Sequence, residues 1–272
     1  MDERPMSYGA AVSWAAAAVA LLFLVTRVLV ALRPAVRTDI VSLGGVEALV
    51  FVLCSFGVLS VYSAGRGARQ AFGLRPTHPA LAVFGLALGI TLQLPAQSLE
   101  QLVTHYFPLS APELLERSLL FSGGSVGHVV ALLLAVGCVG PLVEELFFRG
   151  ALFGGLRRGQ SVAGAVVVSS VAFALSHLDF RQWLPLLVVA FALGYLRAVG
   201  GSLLPCLALH VGFNTVTIIG ILTGVSTVTR PMHIGPPLAI AGWGATLALL
   251  YAVQVVASRS PEAEQARLED AA

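Results

Sequence analysis

The sequence predicts an all-α fold, a polytopic transmembrane helix bundle of about eight spans. Three observations carry that prediction. Of 272 residues, 57% are hydrophobic and 11% charged, with a mean hydropathy of +0.88. Soluble domains carry about 25% charged residues, so a soluble globular enzyme is set aside. The apolar residues also gather into runs of roughly 18–25, the length that crosses a bilayer as helix. The short alternating segments of a transmembrane barrel are absent.

The runs follow one another with turn chemistry between them. The first, 10–32, comes after a short polar head. It has the apolarity of a signal peptide, but no small-residue cleavage site follows before Arg33, so it reads as a retained span. Arg33-Pro34 separates it from 40–62, and Arg75-Pro76 precedes 80–98. The stretch 99–122 sets His105, Pro108, Pro112, Glu113, Glu116 and Arg117 among leucines, the pattern of an amphipathic interfacial segment or lid. Runs 126–157 and 161–178 form a hairpin about Gly159-Gln160-Ser161. Asp179 and Arg181 cap the turn into 183–199, and Gly200-Gly201 leads into 203–222. A proline-rich loop, Pro231 to Pro237, precedes 237–257, and the polar tail from Ser258 reads as frayed. The chain thus divides into N-terminal spans with the interfacial segment (1–125), a core (126–222), a last span (223–257) and the tail (258–272). No internal repeat is visible, which argues against a two-fold transporter.

Every basic residue is arginine. An even span number puts both termini on one side. That side would hold Arg4, Arg66, Arg69, Arg75, Arg157, Arg158, Arg197, Arg259 and Arg267, against Arg33, Arg37, Arg117, Arg181 and Arg230 opposite. The excess predicts cytoplasmic termini, in a bacterial cytoplasmic membrane. A net charge of +2 gives no argument for nucleic acid as a partner; membrane lipid and a membrane-associated protein or peptide are expected instead. Cys54, Cys138 and Cys206 lie in apolar runs without CxxC spacing and read as buried structural thiols. Trp183 and Trp243 suit interfacial anchors. His78, His105, His128 and His233 lack inward helical partners and are assigned no catalysis.

Ionisable groups inside a bilayer cost about 2.5–3.5 kcal/mol each on insertion scales, so each needs a reason. Arg27 and Glu47 lie equally far from the first hairpin turn and are expected to form an interhelical ion pair. A denser set begins with Glu144-Glu145 and Arg149. Glu145 and Arg149, four apart, share a helix face and can pair. Glu144 points about 100° away and lacks that partner, which leaves it for general acid–base work. Folding the 159–161 hairpin brings His177 to nearly the level of Glu144, with Phe173 one turn away. His210 and Asn214, also one turn apart, offer a two-residue polar face from a third helix. By rise alone His210 lies closer to its own turn than His177 does, so the hairpin should protrude or the helices tilt.

A carboxylate and a histidine sharing a water can hydrolyse an amide, and a second histidine with an asparagine can hydrogen-bond the oxyanion. Alternatively Glu144, His177 and His210 provide a His₂Glu zinc set. The residues leave both open: zinc, or no cofactor.

EExxxR at 144–149, FxxxH at 173–177 and HxxxN at 210–214 together resemble the CPBP family. That is the CAAX protease and bacteriocin-processing (Abi) family of intramembrane endopeptidases. The resemblance covers about 126–222, and Phe72-Gly73-Leu74-Arg75-Pro76 is loosely similar to a basic stretch that precedes a family helix. It implies that Glu144 activates water with His177, that His210 and Asn214 stabilise the oxyanion, and that Glu145 and Arg149 complete the first motif, with Phe173 in support. It also implies cleavage of a peptide bond in a membrane-associated or lipidated substrate: CAAX-type, leader-peptide or sorting-tag processing. The family carries both metalloprotease and glutamate-protease descriptions. The competing readings are a non-catalytic membrane partner, such as an immunity or scaffold protein, and a transporter.

Overall fold

The helices begin where short polar residues stand just before the apolar runs. Ser7, Asp39, Ser125, Ser161 and Asp179 each accept, through the side chain, a backbone N–H from the first turn of the helix that follows. This satisfies donors that helix starts otherwise leave unpaired. The computed structural model describes residues 5–63, 65–121, 125–226 and 232–271. Arg4, Arg230 and Pro231, which entered the charge and loop readings, lie outside the described residues.

Ten helices make the framework: α1 (Tyr8–Leu32), α2 (Ile40–Tyr62), α3 (Pro79–Tyr106), α4 (Ala111–Phe121), α5 (Val126–Arg157), α6 (Val162–Ser176), α7 (Phe180–Gly200), α8 (Leu204–Leu222), α9 (Pro236–Arg259) and α10 (Pro261–Ala271). No strand occurs among the described residues. Seven of the helices, α1, α2, α3, α5, α7, α8 and α9, are long and apolar enough to cross a membrane, and the protein is an integral membrane protein. The eighth expected span, α6, has 15 residues. At about 1.5 Å per residue it falls short of a bilayer core of about 30 Å.

α3 runs past the expected end at 98, with a break at Leu92. Pro95 lacks the N–H that would have bonded the carbonyl of Thr91. The same helix sets the position of α8. A Cβ on Gly85 would stand 2.3 Å from the Pro205 carbonyl oxygen, and one on Gly89 would stand 2.3 Å from that of Leu209. Only glycine lets the two backbones approach this closely, as small-xxx-small pairs do in membrane bundles. Gln93 adds a hydrogen bond from Nε2 to the Phe213 carbonyl (2.7 Å).

The buried apolar side chains form two clusters. One joins α1, α2, α5 and α6 around Phe51, Phe147, Phe148 and Phe173. The other joins α3, α7, α8, α9 and α10 around Leu88, Leu193 and Leu209. The residues of interest meet where the clusters adjoin.

Three expectations change: those for the tail, Arg197 and Cys138. The tail is not frayed: α10 docks, with Asp270 between Arg75 (2.7 Å) and Arg197. Arg197 is fully buried in α7 rather than in a loop. Cys138 is exposed, while Cys54 and Cys206 are buried. Trp183 donates its indole N–H to the His177 carbonyl at 2.6 Å, which ties it to the helix turn. At the tip of the α5–α6 hairpin Arg158 donates to the Tyr62 carbonyl and Gln160 to that of Met6 (3.3 Å), while Gly159 and Ser161 stay exposed. The amphipathic segment is α4, with no buried residue, held by Glu113–Arg181 (3.1 Å) and Arg117–Asp179.

Candidate active site

Proline and glycine in the motif helix shape the site. Pro141 has no N–H to give to the carbonyl of Gly137, and the ladder just before it is widened into a π-helical turn, Ala135–Val139. A second π-helical stretch, Leu146–Leu152, follows the glutamates. Such widened turns arise where the regular i→i−4 bond is interrupted, and they are common at functional sites. Between them Glu144 and Glu145 project from one regular segment, Gly140–Glu145.

Glu145 and Arg149 form the expected pair at 3.0 Å, and both side chains are fully buried. Arg149 also donates to the Ala190 carbonyl (3.1 Å) and lies 4.5 Å over the Phe173 ring. Its own carbonyl accepts from Arg197 Nε at 3.1 Å. The guanidinium is thus fixed by a carboxylate, a carbonyl and an aromatic face.

His210 reaches the same carboxylates from α8. Its Nδ1 lies 2.9 Å from Glu145 Oε1 and its Nε2 lies 3.5 Å from Glu144 Oε2. The Phe173 ring stands 5.6 Å from the His210 ring and 5.1 Å from that of His177, and so separates and orients the two imidazoles. His177 ends α6, with Nδ1 3.1 Å from the Phe173 carbonyl. A carbonyl only accepts, so Nδ1 carries the proton and the Nε2 lone pair is left for a proton from another group. Asn214 donates from Nδ2 to the Val136 carbonyl (2.8 Å), in the first π-helical turn. That leaves one amide N–H and the amide oxygen.

The structure therefore brings together Glu144, Glu145, Arg149, Phe173, His177 and His210, with Asn214 one turn beyond His210. It makes no direct hydrogen bond between Glu144 and His177. Both ring nitrogens of His210 face carboxylates, rather than an open oxyanion position. Glu145 is wholly sealed, whereas His177 and Asn214 are half-buried and reachable.

The expected Arg27–Glu47 ion pair is absent. Arg27 turns back over Phe23 of its own helix, 5.9 Å from the ring centroid. Glu47 instead turns toward α5, which brings its carboxyl beside that of Glu144. Its Oε2 lies 4.0 Å from where a Cβ on Gly140 would stand, one turn before Glu144. Equal depth along a hairpin says nothing of azimuth, and the azimuth of α2 aims Glu47 at α5. The sequence signal was the carboxyl inside an apolar run; its partner was not legible.

Among the described residues no group of three or more His, Cys, Asp or Glu converges closely enough to hold a metal ion. The His₂Glu set of Glu144, His177 and His210 does not fit zinc in this arrangement. The Phe173 ring stands between the imidazoles of His177 and His210, which keeps the two from converging on one ion. The chemistry derived below uses the chain's own groups.

Residues 126–216, which contain all seven motif residues, match the family profile described as Type II CAAX prenyl endopeptidase Rce1-like. The chain is also 31% identical over 81 residues to Putative membrane peptidase YdiL of Bacillus subtilis. That stretch is 30% of this chain and 33% of the relative, so the chain matches about a third of that protein's length. No solved structure matches the chain.

Proposed function

We propose that the protein is an intramembrane endopeptidase acting on a membrane-associated or lipidated peptide, a reading supported by the match of residues 126–216 to the Type II CAAX prenyl endopeptidase Rce1-like profile. The observation that carries this reading is the sealed Glu145–Arg149 pair, which holds His210 beside Glu144, while the half-buried His177 packs on the same Phe173 ring as His210. A carboxylate next to an imidazole with a free Nε2 lone pair suits activation of a water.

In the proposed reaction, a water enters between Glu144 and His177 and gives one proton to the Glu144 carboxylate, its other O–H donating to His177 Nε2, as its oxygen attacks the scissile carbonyl. The C–O bond forms and the carbonyl oxygen becomes an oxyanion. The spare N–H of Asn214 donates to that oxygen, while His210 stays between Glu145 and Glu144. The tetrahedral species then collapses, the C–N bond breaks, and Glu144 returns the proton to the leaving amine. Glu145 and Arg149 do not touch substrate; they fix the tautomer and position of His210.

The same reading places the catalytic segment at 126–222 and, with the short α6 carrying the chain from Gln160 beside Met6 to Asp179 beside Arg117, both termini on the cytoplasmic face of a bacterial cytoplasmic membrane. A CAAX-type segment, a leader peptide and a sorting tag all meet the chemistry.

The test is cleavage of a quenched lipopeptide panel by the purified protein in detergent. Glu144→Ala should fold, with an unchanged melting midpoint to within a few degrees, and lose at least ~10²-fold in kcat. A chelator arm on the same samples should leave wild-type activity intact. Cleavage retained by Glu144→Ala overturns the mechanism. Full biological activity of Glu144→Ala in cells, with no cleavage by either protein, would favour a non-catalytic partner.

A further inference from the structure

Glu47 is a carboxyl that the reaction above does not use, yet it reaches the reacting carboxyl from a helix outside the family segment. α2 packs along α5 through Phe51, which touches Phe147 (5.3 Å) and Phe148 (5.6 Å). Glu47 lies one turn before Phe51, so the same packing that builds the aromatic cluster carries Glu47 to the level of Glu144. Gly140 leaves the room: a Cβ there would stand 4.0 Å from Glu47 Oε2 and 3.2 Å from the Ala135 carbonyl oxygen. Gly44 lets α2 approach still closer at the preceding turn, where a Cβ would meet that of Ala135 at 3.2 Å.

The partners of Glu47 are equally informative. A carboxyl in an apolar span is expected to find a cation. Among the described residues Glu47 makes no ion pair, and Arg27, at the same depth, is turned onto Phe23. The charged and titratable groups around the shared site are Glu144, Glu145 and Arg149 from α5, His210 from α8 and His177 from α6. Arg149 is consumed by Glu145, and His210 lies between Glu145 and Glu144. Glu144 therefore has one face toward His210 and one toward Glu47.

We propose that Glu47 is a positioning residue for the hydrolysis, holding the Glu144 carboxyl in the orientation that meets the water and His177. This rests on the proteolytic reading above. A carboxyl on a single-bonded stem has free rotation about its last bond. With His210 Nε2 3.5 Å from Glu144 Oε2 and the Glu47 carboxyl beside the same group, rotation of the Glu144 carboxyl is restricted, which is the pre-organisation that an attack geometry needs. Glu47 forms no bond to substrate and transfers nothing to it.

The experiment compares wild type, Glu47→Ala, Glu47→Gln and Arg27→Ala in detergent, by cleavage kinetics and by thermal unfolding, with a Glu47→Ala/Glu144→Ala double variant in the melts. Glu47→Ala should lower kcat about 10–100-fold with KM unchanged, the signature of a misaimed group rather than lost binding. Glu47→Gln, which can still hydrogen-bond Glu144, should restore most of kcat. Arg27→Ala should match wild type. The melting shifts of Glu47→Ala and Glu144→Ala should be non-additive, because the groups touch.

An active wild type with kcat unchanged in Glu47→Ala overturns the positioning role alone. So does a Glu47→Gln as impaired as Glu47→Ala, or an Arg27→Ala that reproduces it, since either makes Glu47 something other than a hydrogen-bonding partner of Glu144. Additive melting shifts overturn the contact. If wild type cleaves nothing while the shifts remain coupled, the contact stands, the proteolytic reading fails and the positioning role falls with it.

Discussion

Phe173 shows how much one apolar side chain decides here. It is buried, touches both imidazoles and carries the Arg149 guanidinium on its face. Arg149 in turn satisfies Glu145, which orients His210. Each contact depends on the preceding one, so the polar residues act as a unit. The Glu145–Arg149 pair lies in a sealed site, where Arg149 is the arginine that meets Glu145 and His210 is its other neighbour. Removing one partner of a buried pair costs ~3–5 kcal/mol. Arg149→Ala should therefore unfold at a markedly lower temperature in detergent, while Glu144→Ala should not. An Arg149→Met/Glu145→Gln double variant should recover part of the loss, because no uncompensated charge remains. Differential scanning fluorimetry of the three variants decides it; an Arg149→Ala that melts like wild type would contradict the account. Glu144 and Glu145 are adjacent in sequence, and only their azimuth separates them. That separation was legible from the spacing to Arg149. The place of Glu47 was not, because it depends on how α2 is rotated about its axis.

At the scale of elements, the C-terminal helix is the part most changed from its sequence reading. α10 is polar along its length, and its composition alone fits a solvated tail. It is held by buried cations instead. Asp270 meets Arg75 and Arg197, Arg267 donates to the Val199 carbonyl (2.6 Å), and Gly201, at φ +63°, leaves room for Ala266. Arg197 also reaches the Arg149 carbonyl, so α10 and the motif helix share one guanidinium. Burial works to raise the Asp270 carboxyl, but Arg197 and then Arg75 outweigh it, and the group stands below the ordinary carboxylate value. A carboxyl depressed on folding contributes stability that is complete above its unfolded value. That stability is lost as pH falls through the folded value. Asp270→Asn should accordingly lower the melting temperature at pH 7. The gap to wild type should close as pH falls below the ordinary carboxylate range. Thermal unfolding in detergent across pH 3–8 measures it, and a gap independent of pH would mean that Asp270 acts by packing alone.

For the whole molecule, the arginines separate into two groups by contact. Arg75, Arg197 and Arg267 gather about α10 at one end. Arg37, Arg117 and Arg181 pair with Glu116, Asp179 and Glu113 at the other. This is the separation an alternating bundle requires, and the more basic end is the one expected to face the cytoplasm. A protease-sensitive tag at the C-terminus should then be protected in right-side-out vesicles and cleaved in inverted ones. The opposite pattern would reverse the proposed orientation and with it the side from which substrate arrives.

The sequence by itself determined the class of the molecule and named the candidates for its site. Low charge and runs of span length leave a helical membrane bundle as the only economical solution, because an unsatisfied backbone is intolerable in lipid. The i,i+4 spacings of Glu145 with Arg149, Phe173 with His177 and His210 with Asn214 are local, and local geometry is readable from residue numbers. Only the tertiary structure decided what depends on rotation and depth between helices. It turned Glu47 toward Glu144 rather than Arg27, drew α8 against α3 at Gly85 and Gly89, shortened α6, and folded a polar tail onto buried arginines. These are matters of azimuth and close approach between segments far apart in the chain, and periodicity within one segment carries no information about either.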